Sequence, residues 1–204
     1  MNNTQNGADS SATPKTVIWL QGVTIAWMLI ETAVSLYSAQ QARSTALLAF
    51  GSDSLVELLS AIIVLISFRS ISLVSKEHVE RWAGILLLVL AAIVAIASIT
   101  SWVHHVQPQT SILGIGITIG ALIVMPLLAW KKREIAQSAD NRVLAADAVQ
   151  SATCAYLALL TLMGLAINAI FHVHWIDAVA GLAALPFLWV EGRRAMRGES
   201  CGCT

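Results

Sequence analysis

The chain predicts an all-α membrane protein of six transmembrane helices with both ends in the cytoplasm, and three observations carry that prediction. Of its 204 residues 57% are hydrophobic and only 12% charged, against about a quarter charged in soluble domains. Six apolar segments can be drawn, each near the ~20 residues that cross a bilayer as a helix. The basic residues fall almost entirely to one side of those segments, which sets orientation.

In chain order, residues 1–14 are small and polar and read as a disordered cytoplasmic N-terminus. The first span covers 16–38; it is too long for a cleavable signal and lacks a small-residue cleavage site. The second, 46–68, lies in the run TALLAFGSDSLVELLSAIIVLISF. The third covers 82–103 and the fourth 110–130, where Gly116 and Gly120 form a G-x-x-x-G pair suited to close helix approach and Pro126 permits a kink. The fifth, 143–170, is long and is expected to begin as an interfacial turn. The sixth covers 175–190 and carries Pro186. No segment alternates as a barrel strand does. Residues 15–196 thus read as one membrane domain, and 197–204 as a cytoplasmic tail with no room for a further soluble domain.

Lys15, Arg69, Lys76, Arg81, Lys131, Lys132, Arg133, Arg142, Arg193, Arg194 and Arg197 all fall on the side of the termini. Only Arg43 falls opposite. A cell-membrane protein with cytoplasmic ends follows.

The acidic residues are distributed differently. Glu31, Asp53, Glu57 and Asp147 lie within spans, and Asp177 lies near the outer end of the sixth. A charge at the bilayer centre costs roughly 2.5–3.5 kcal/mol even on lenient scales. With every Lys and Arg assigned to loops or span ends, no internal salt bridge is expected. A rise of ~1.5 Å per residue puts Glu31 and Asp53 about 10 Å below the outer surface and Glu57 near the midplane. Asp53 and Glu57, spaced i to i+4, share one helical face. Such a pair suits a visiting cation: a metal ion, a proton, or each in turn.

On the fifth span Asp147, Gln150 and Cys154 fall at i, i+3 and i+7, one helical stripe. If the second and fifth helices pack together, Asp53, Glu57, Gln150 and Cys154 can surround one point. Two carboxylates, an amide oxygen and a thiol make four ligands, the number zinc prefers. Simpler roles stand beside this one. Cys154 can be a small hydrophobe and Gln150 an interhelical hydrogen-bonding group. Asp147 can cap its helix or meet cytoplasmic water, Asp177 can be an N-terminal cap, and Glu31 a protonated hydrogen-bonding residue. In the tail, Cys201 and Cys203 form a C-x-C pair that can clamp a soft ion, be incidental, or accept a lipid. His104, His105, His172 and His174 on the outer side are either a weak exit site or solvent-exposed loop residues.

The segment Asp53-Ser54-Leu55-Val56-Glu57 resembles the second transmembrane helix of the cation diffusion facilitator family, where two acidic residues are separated by three others. Ala146-Asp147-Ala148-Val149-Gln150-Ser151-Ala152-Thr153-Cys154 is similar to that family's A-D-x-x-H-x-x-x-D. The resemblance covers nearly all of 16–196. It implies a six-helix transporter that exports a divalent metal, typically zinc, in exchange for protons, and that forms a homodimer. Gln150 stands where the family has His and Cys154 where it has Asp, and the family's cytoplasmic metal-binding domain is missing, so this chain resembles a compact, divergent branch. Cys in place of Asp points toward softer cations. The partners implied are the metal ion, protons and membrane lipids; no cofactor and no nucleic acid are expected. No nucleophile–base set or phosphate-binding loop is present, so an enzyme is not expected. Two other readings stay open: an organic-cation/proton carrier, and a non-transporting metal-sensing membrane subunit. The first requires an aromatic-lined pocket, yet of seven Trp only Trp27 is deep, the rest forming an interfacial belt.

Overall fold

A computed structural model describes residues 14–68, 76–138, 142–171, 173 and 175–197. The expected disorder of 1–13, His172, His174, and the cysteines at 201 and 203 lie outside the described residues. Six helices occupy the rest: α1 (Pro14–Ala42), α2 (Thr45–Phe68), α3 (Lys76–Val103), α4 (Ile112–Ser138), α5 (Arg142–Phe171) and α6 (Trp175–Met196). Pro14 opens α1, where its missing N–H removes no intrahelical bond. Pro126 and Pro186 lie inside α4 and α6, which continue through them. Among the described residues, five helices contain stretches long and apolar enough to cross a membrane: Thr16–Ala42, Gly84–Val103, Ile112–Ser138, Asp147–Phe171 and Trp175–Arg194. The remaining helix, α2, packs against α1, α3, α5 and α6 at once.

Successive helices run antiparallel. At one end the starts of α1 and α5 meet the end of α4 through Val17, Leu144 and Ala136. There, too, the start of α3 touches the end of α6, because a Cβ on Gly84 would come within 2.6 Å of the Met196 nitrogen. At the other end the Gln109 amide donates to Ala42 oxygen at 2.8 Å, and Asn168 Nδ2 donates to Pro108 oxygen at 3.1 Å. The basic end is therefore one face of the bundle and the loop end the other.

The packing resolves into two parts. Contacts α1–α2, α2–α5, α5–α4 and α4–α1 close a four-helix ring, while α3 and α6 pair with each other and lean on α2 and, through α6, on α5. The main apolar core, including Met28, Phe50, Leu87, Met125, Leu157 and Leu188, joins the parts. Burying such side chains stabilises by roughly 1.5–3 kcal/mol each. Backbones come closest between α3 and α6, at Gly84 and Gly192. The expected G-x-x-x-G seam on α4 is not formed: Gly116 has nothing within 4 Å of a built Cβ, and only Gly120 meets a neighbour, the Trp27 ring at 2.9 Å. Two glycines a turn apart make a seam only when that face meets a helix, and the Gly116 surface faces outward.

Helix α4 also runs further than its apolar span. Lys131, Lys132 and Arg133 are helical, not part of a loop. Lys131 and Arg133 are exposed, Lys131 pairing with Glu134 at 3.0 Å and lying over the Trp130 ring at 4.6 Å. Lys132 is fully buried. It continues the inward stripe of Ala121, Met125, Leu128 and Ala136, so helical register turns it into the ring.

Candidate cation site

Each ring helix contributes polar side chains to the interior. From α1 come Gln21 and Glu31, from α2 Asp53, Ser54 and Glu57, from α4 Lys132, and from α5 Asp147, Ser151 and Cys154; all are buried. They form two linked groups.

The first group centres on Glu31. Its Oε1 accepts a hydrogen bond from the Ser54 hydroxyl at 2.6 Å and from the Cys154 thiol at 3.3 Å. Its Oε2 accepts from the Trp27 indole at 2.5 Å. Trp27, the deep tryptophan, is thus engaged through its N–H and packed on Gly120, while the other six Trp are exposed toward the span ends. No aromatic cage lines the ring interior among the described residues.

The second group is ionic. Lys132 Nζ lies 2.9 Å from Asp147 Oδ2 and 3.7 Å from Glu57 Oε1, and donates to Ser151 Oγ at 2.8 Å. The Ser151 hydroxyl in turn donates to Glu57 Oε1. Gln21 Nε2 donates to Asp147 Oδ2 at 2.7 Å. The expectation of no internal salt bridge is overturned. It failed because Lys132 was assigned to a loop, whereas α4 carries it past the apolar span and its side chain reaches back along the helix. Asp147 accordingly neither caps α5 nor meets water; it is buried against the ammonium.

Between the groups lies Asp53. It is 1% exposed, and neither of its carboxylate oxygens has a hydrogen-bond partner. Buried polar atoms are nearly always paired, and an ionised carboxylate costs most of all to leave alone. Glu57 Oε2 is likewise unpartnered. The carboxylates of Glu31 and Glu57 are near enough for their charges to act on Asp53, and the neutral Cys154 thiol, which donates to Glu31, lies close beside it. The Glu191 carboxylate on α6 is near enough as well; beside Arg193 and Arg194 at the basic end of its helix, it carries no sequence signal that marks it as part of the site.

Gln150 is half-buried on the flank of α5, and Ser151 takes the inward position beside Asp147 and Cys154. Among the described residues, no three His, Cys, Asp or Glu side chains converge closely enough to hold a metal ion in this arrangement. Both oxygens of Glu31, and Oε1 of Glu57, are instead engaged by protein donors.

Asp177 belongs to different chemistry. Its carboxylate accepts from Ser44 Oγ at 2.5 Å, Thr45 N at 2.7 Å and Thr45 Oγ1 at 3.1 Å. It caps the start of α2 across the bundle, not its own helix, and Ser44 adds a local cap by accepting from Leu47 N at 3.1 Å. The left-handed backbone of Arg43 (φ 52°) makes the turn between α1 and α2 that brings these groups together. On the loop face, His104 and His105 are exposed. His105, with φ 50°, lines an open depression of about 360 Å³ together with Trp102, Gln107 and Trp175.

Residues 79–198 match the cation efflux transmembrane domain. The chain belongs to the cation efflux family. The match spans most of α3 and all of α4–α6, so Asp147, Cys154 and Lys132 fall inside it, while Glu31, Asp53 and Glu57 lie before it. No curated relative matches the chain. Family and fold together make this a multi-pass integral membrane protein, and the family is one of cation transporters.

Proposed function

We propose that this cation efflux protein exports a divalent transition-metal ion, with zinc the model cargo, in exchange for protons and by alternating access. The observation that carries the reading is Asp53: a fully buried carboxylate with both oxygens unpartnered, one turn from Glu57 at the centre of a cation-efflux bundle. Asp53 and Glu57 supply the charge that holds the ion, and Cys154 supplies a soft donor. Carboxylates must be ionised to ligate, so loading the ion releases protons, and protons returning from the other side release the ion. Gln150 joins these ligands when α5 turns, a movement alternating access requires in any case. Glu31, Asp147, Asp177, Cys201 and Cys203 are candidates for accessory roles. Of these, Glu31 supports the site as the acceptor that orients the Cys154 thiol, and the C-x-C pair serves delivery from the cytoplasm. A homodimer, as the family resemblance implies, is part of the same proposal.

The test is purified full-length protein in liposomes, with Zn2+, Co2+, Cd2+ and Mg2+ offered in turn, with and without a pH gradient. Zn2+ flux that is accelerated by the gradient and lost in Asp53→Asn is the expected result. Equal flux in parent and Asp53→Asn overturns the reading.

A further inference from the structure

Lysines near the ends of membrane helices normally extend their ammonium to the interface. Lys131 and Arg133 are exposed in that way, yet Lys132 between them has no exposed surface. Asp147 and Gln21 alone would hold an ammonium at that position: Asp147 Oδ2 is 2.9 Å away and is itself fixed by Gln21 Nε2 at 2.7 Å. Lys132 nevertheless also reaches Glu57, at 3.7 Å directly and through the Ser151 hydroxyl, which accepts from Nζ and donates to Glu57 Oε1. One ammonium therefore serves two carboxylates on two helices. Only one of them, Glu57, belongs to the pair read as the cargo site.

We propose that Lys132 is a tethered internal cation that competes with the transported ion for Glu57, with Asp147 as the seat to which the ammonium withdraws when the ion binds. The proposal rests on the transport reading above and adds a residue to it. An ion on Glu57 Oε2 and the ammonium near Oε1 repel each other strongly, because like charges a few ångströms apart interact strongly where water is excluded. Withdrawal is short: the closer bond, to Asp147, is already made, so only the longer contact and the serine bridge must open. Position supports the role. Lys132 sits six residues, about 9 Å, from the basic end of α4, and Glu57 eleven residues, about 16 Å, from that end of α2. An ion arriving from the basic face meets the ammonium before it meets the carboxylate pair. On return, the same ammonium displaces the ion from Glu57 and so favours release.

Competition trades affinity for turnover, whereas a purely structural salt bridge does neither. The experiment measures Zn2+ transport in liposomes at one fixed pH on both sides, and equilibrium Zn2+ binding in detergent, for four proteins: parent, Asp53→Asn, Lys132→Arg, and the double variant Lys132→Gln with Asp147→Asn. The double variant removes both charges of the bridge together, so no lone buried charge is left. Coupling between two sites in one protein is typically worth at least about fivefold in affinity. The double variant is expected to lower both KM and the dissociation constant for Zn2+ by at least that factor while slowing maximal turnover. Lys132→Arg, which keeps the charge and adds a two-pronged grip on carboxylate, is expected to raise KM. If the double variant does not reach the membrane folded, Lys132→Arg decides alone. Unchanged KM in the variants, with a transporting parent and an inactive Asp53→Asn, overturns the competition while leaving the transport reading standing. A parent that moves no divalent cation overturns both.

Discussion

The α1–α2–α4–α5 ring and the α3–α6 pair are built from similar apolar helices but hold together in opposite ways. The pair is close-packed on glycine: Gly84 and Gly192 let the backbones touch, and Leu87, Ala91, Val94, Ala184 and Leu188 fill the remaining contact. Inside the ring, four carboxylates, an ammonium, a thiol, an amide and two hydroxyls are buried together. In lipid the driving force between helices is packing and interhelical hydrogen bonding, and each part uses mainly one of these. The difference teaches where movement is affordable. Close backbone contact has no second arrangement of similar energy, whereas a hydrogen-bonded ionic network can exchange one partner for another.

Substitutions can break that contrast. Asp53→Asn and Glu57→Gln keep shape and remove charge; each is expected to reduce Zn2+ flux in liposomes to the protein-free rate while leaving the purified protein monodisperse. Lys132→Gln alone strands Asp147 and half of Glu57 without a cation. Breaking a buried pair in this way costs about 3–5 kcal/mol, to be read as a fall in the unfolding midpoint in detergent, and adding Asp147→Asn should recover much of it. In the α3–α6 pair, Gly84→Leu forces a side chain into Met196 and Gly192. Overpacking of that kind costs about 1–3 kcal/mol, and the expected outcome is lower thermal stability with the order of metal preference unchanged. A change of metal preference there would mean that the two parts are not separable.

Smaller effects sharpen the picture. Asp177→Ala removes the carboxylate that holds Ser44 and Thr45 and should cost about 1–2 kcal/mol, with transport reduced only in proportion to folded protein. Cys154→Ser should move preference away from Cd2+ toward harder ions while some flux persists, measured as a ratio of Cd2+ to Zn2+ rates. Gln150→Ala should change flux least of all.

Those expectations differ in how far the sequence supported them. The i, i+4 pair Asp53–Glu57 and the inward placing of Asp147 and Cys154 were legible, because helical periodicity alone fixes which residues share a stripe. Periodicity cannot choose between Gln150 and Ser151, since each lies three or four residues from both Asp147 and Cys154. Neighbouring helices chose Ser151. Lys132 carried a legible signal that was masked: it is four residues from Leu128 and four from Ala136, but three basic residues in a row read more readily as a loop. The trans-cap by Asp177 had no local signal, because the helix it caps begins 132 residues earlier in the chain.

Composition, span length and the one-sided basic residues determined by themselves that this is a helical membrane protein, since a bilayer selects strongly on hydropathy and flanking charge. The acidic pair and its spacing raised the expectation that a cation visits, which remains a proposal for transport assays to test. Only the tertiary structure decided which groups meet. Gln21 and Asp147 are 126 residues apart and Glu57 and Ser151 are 94 apart, and no periodicity within one helix reports which neighbour its polar face will find. The ring of four helices supplies that neighbour, turning a basic residue at the edge of an apolar segment into the buried counter-charge of the site.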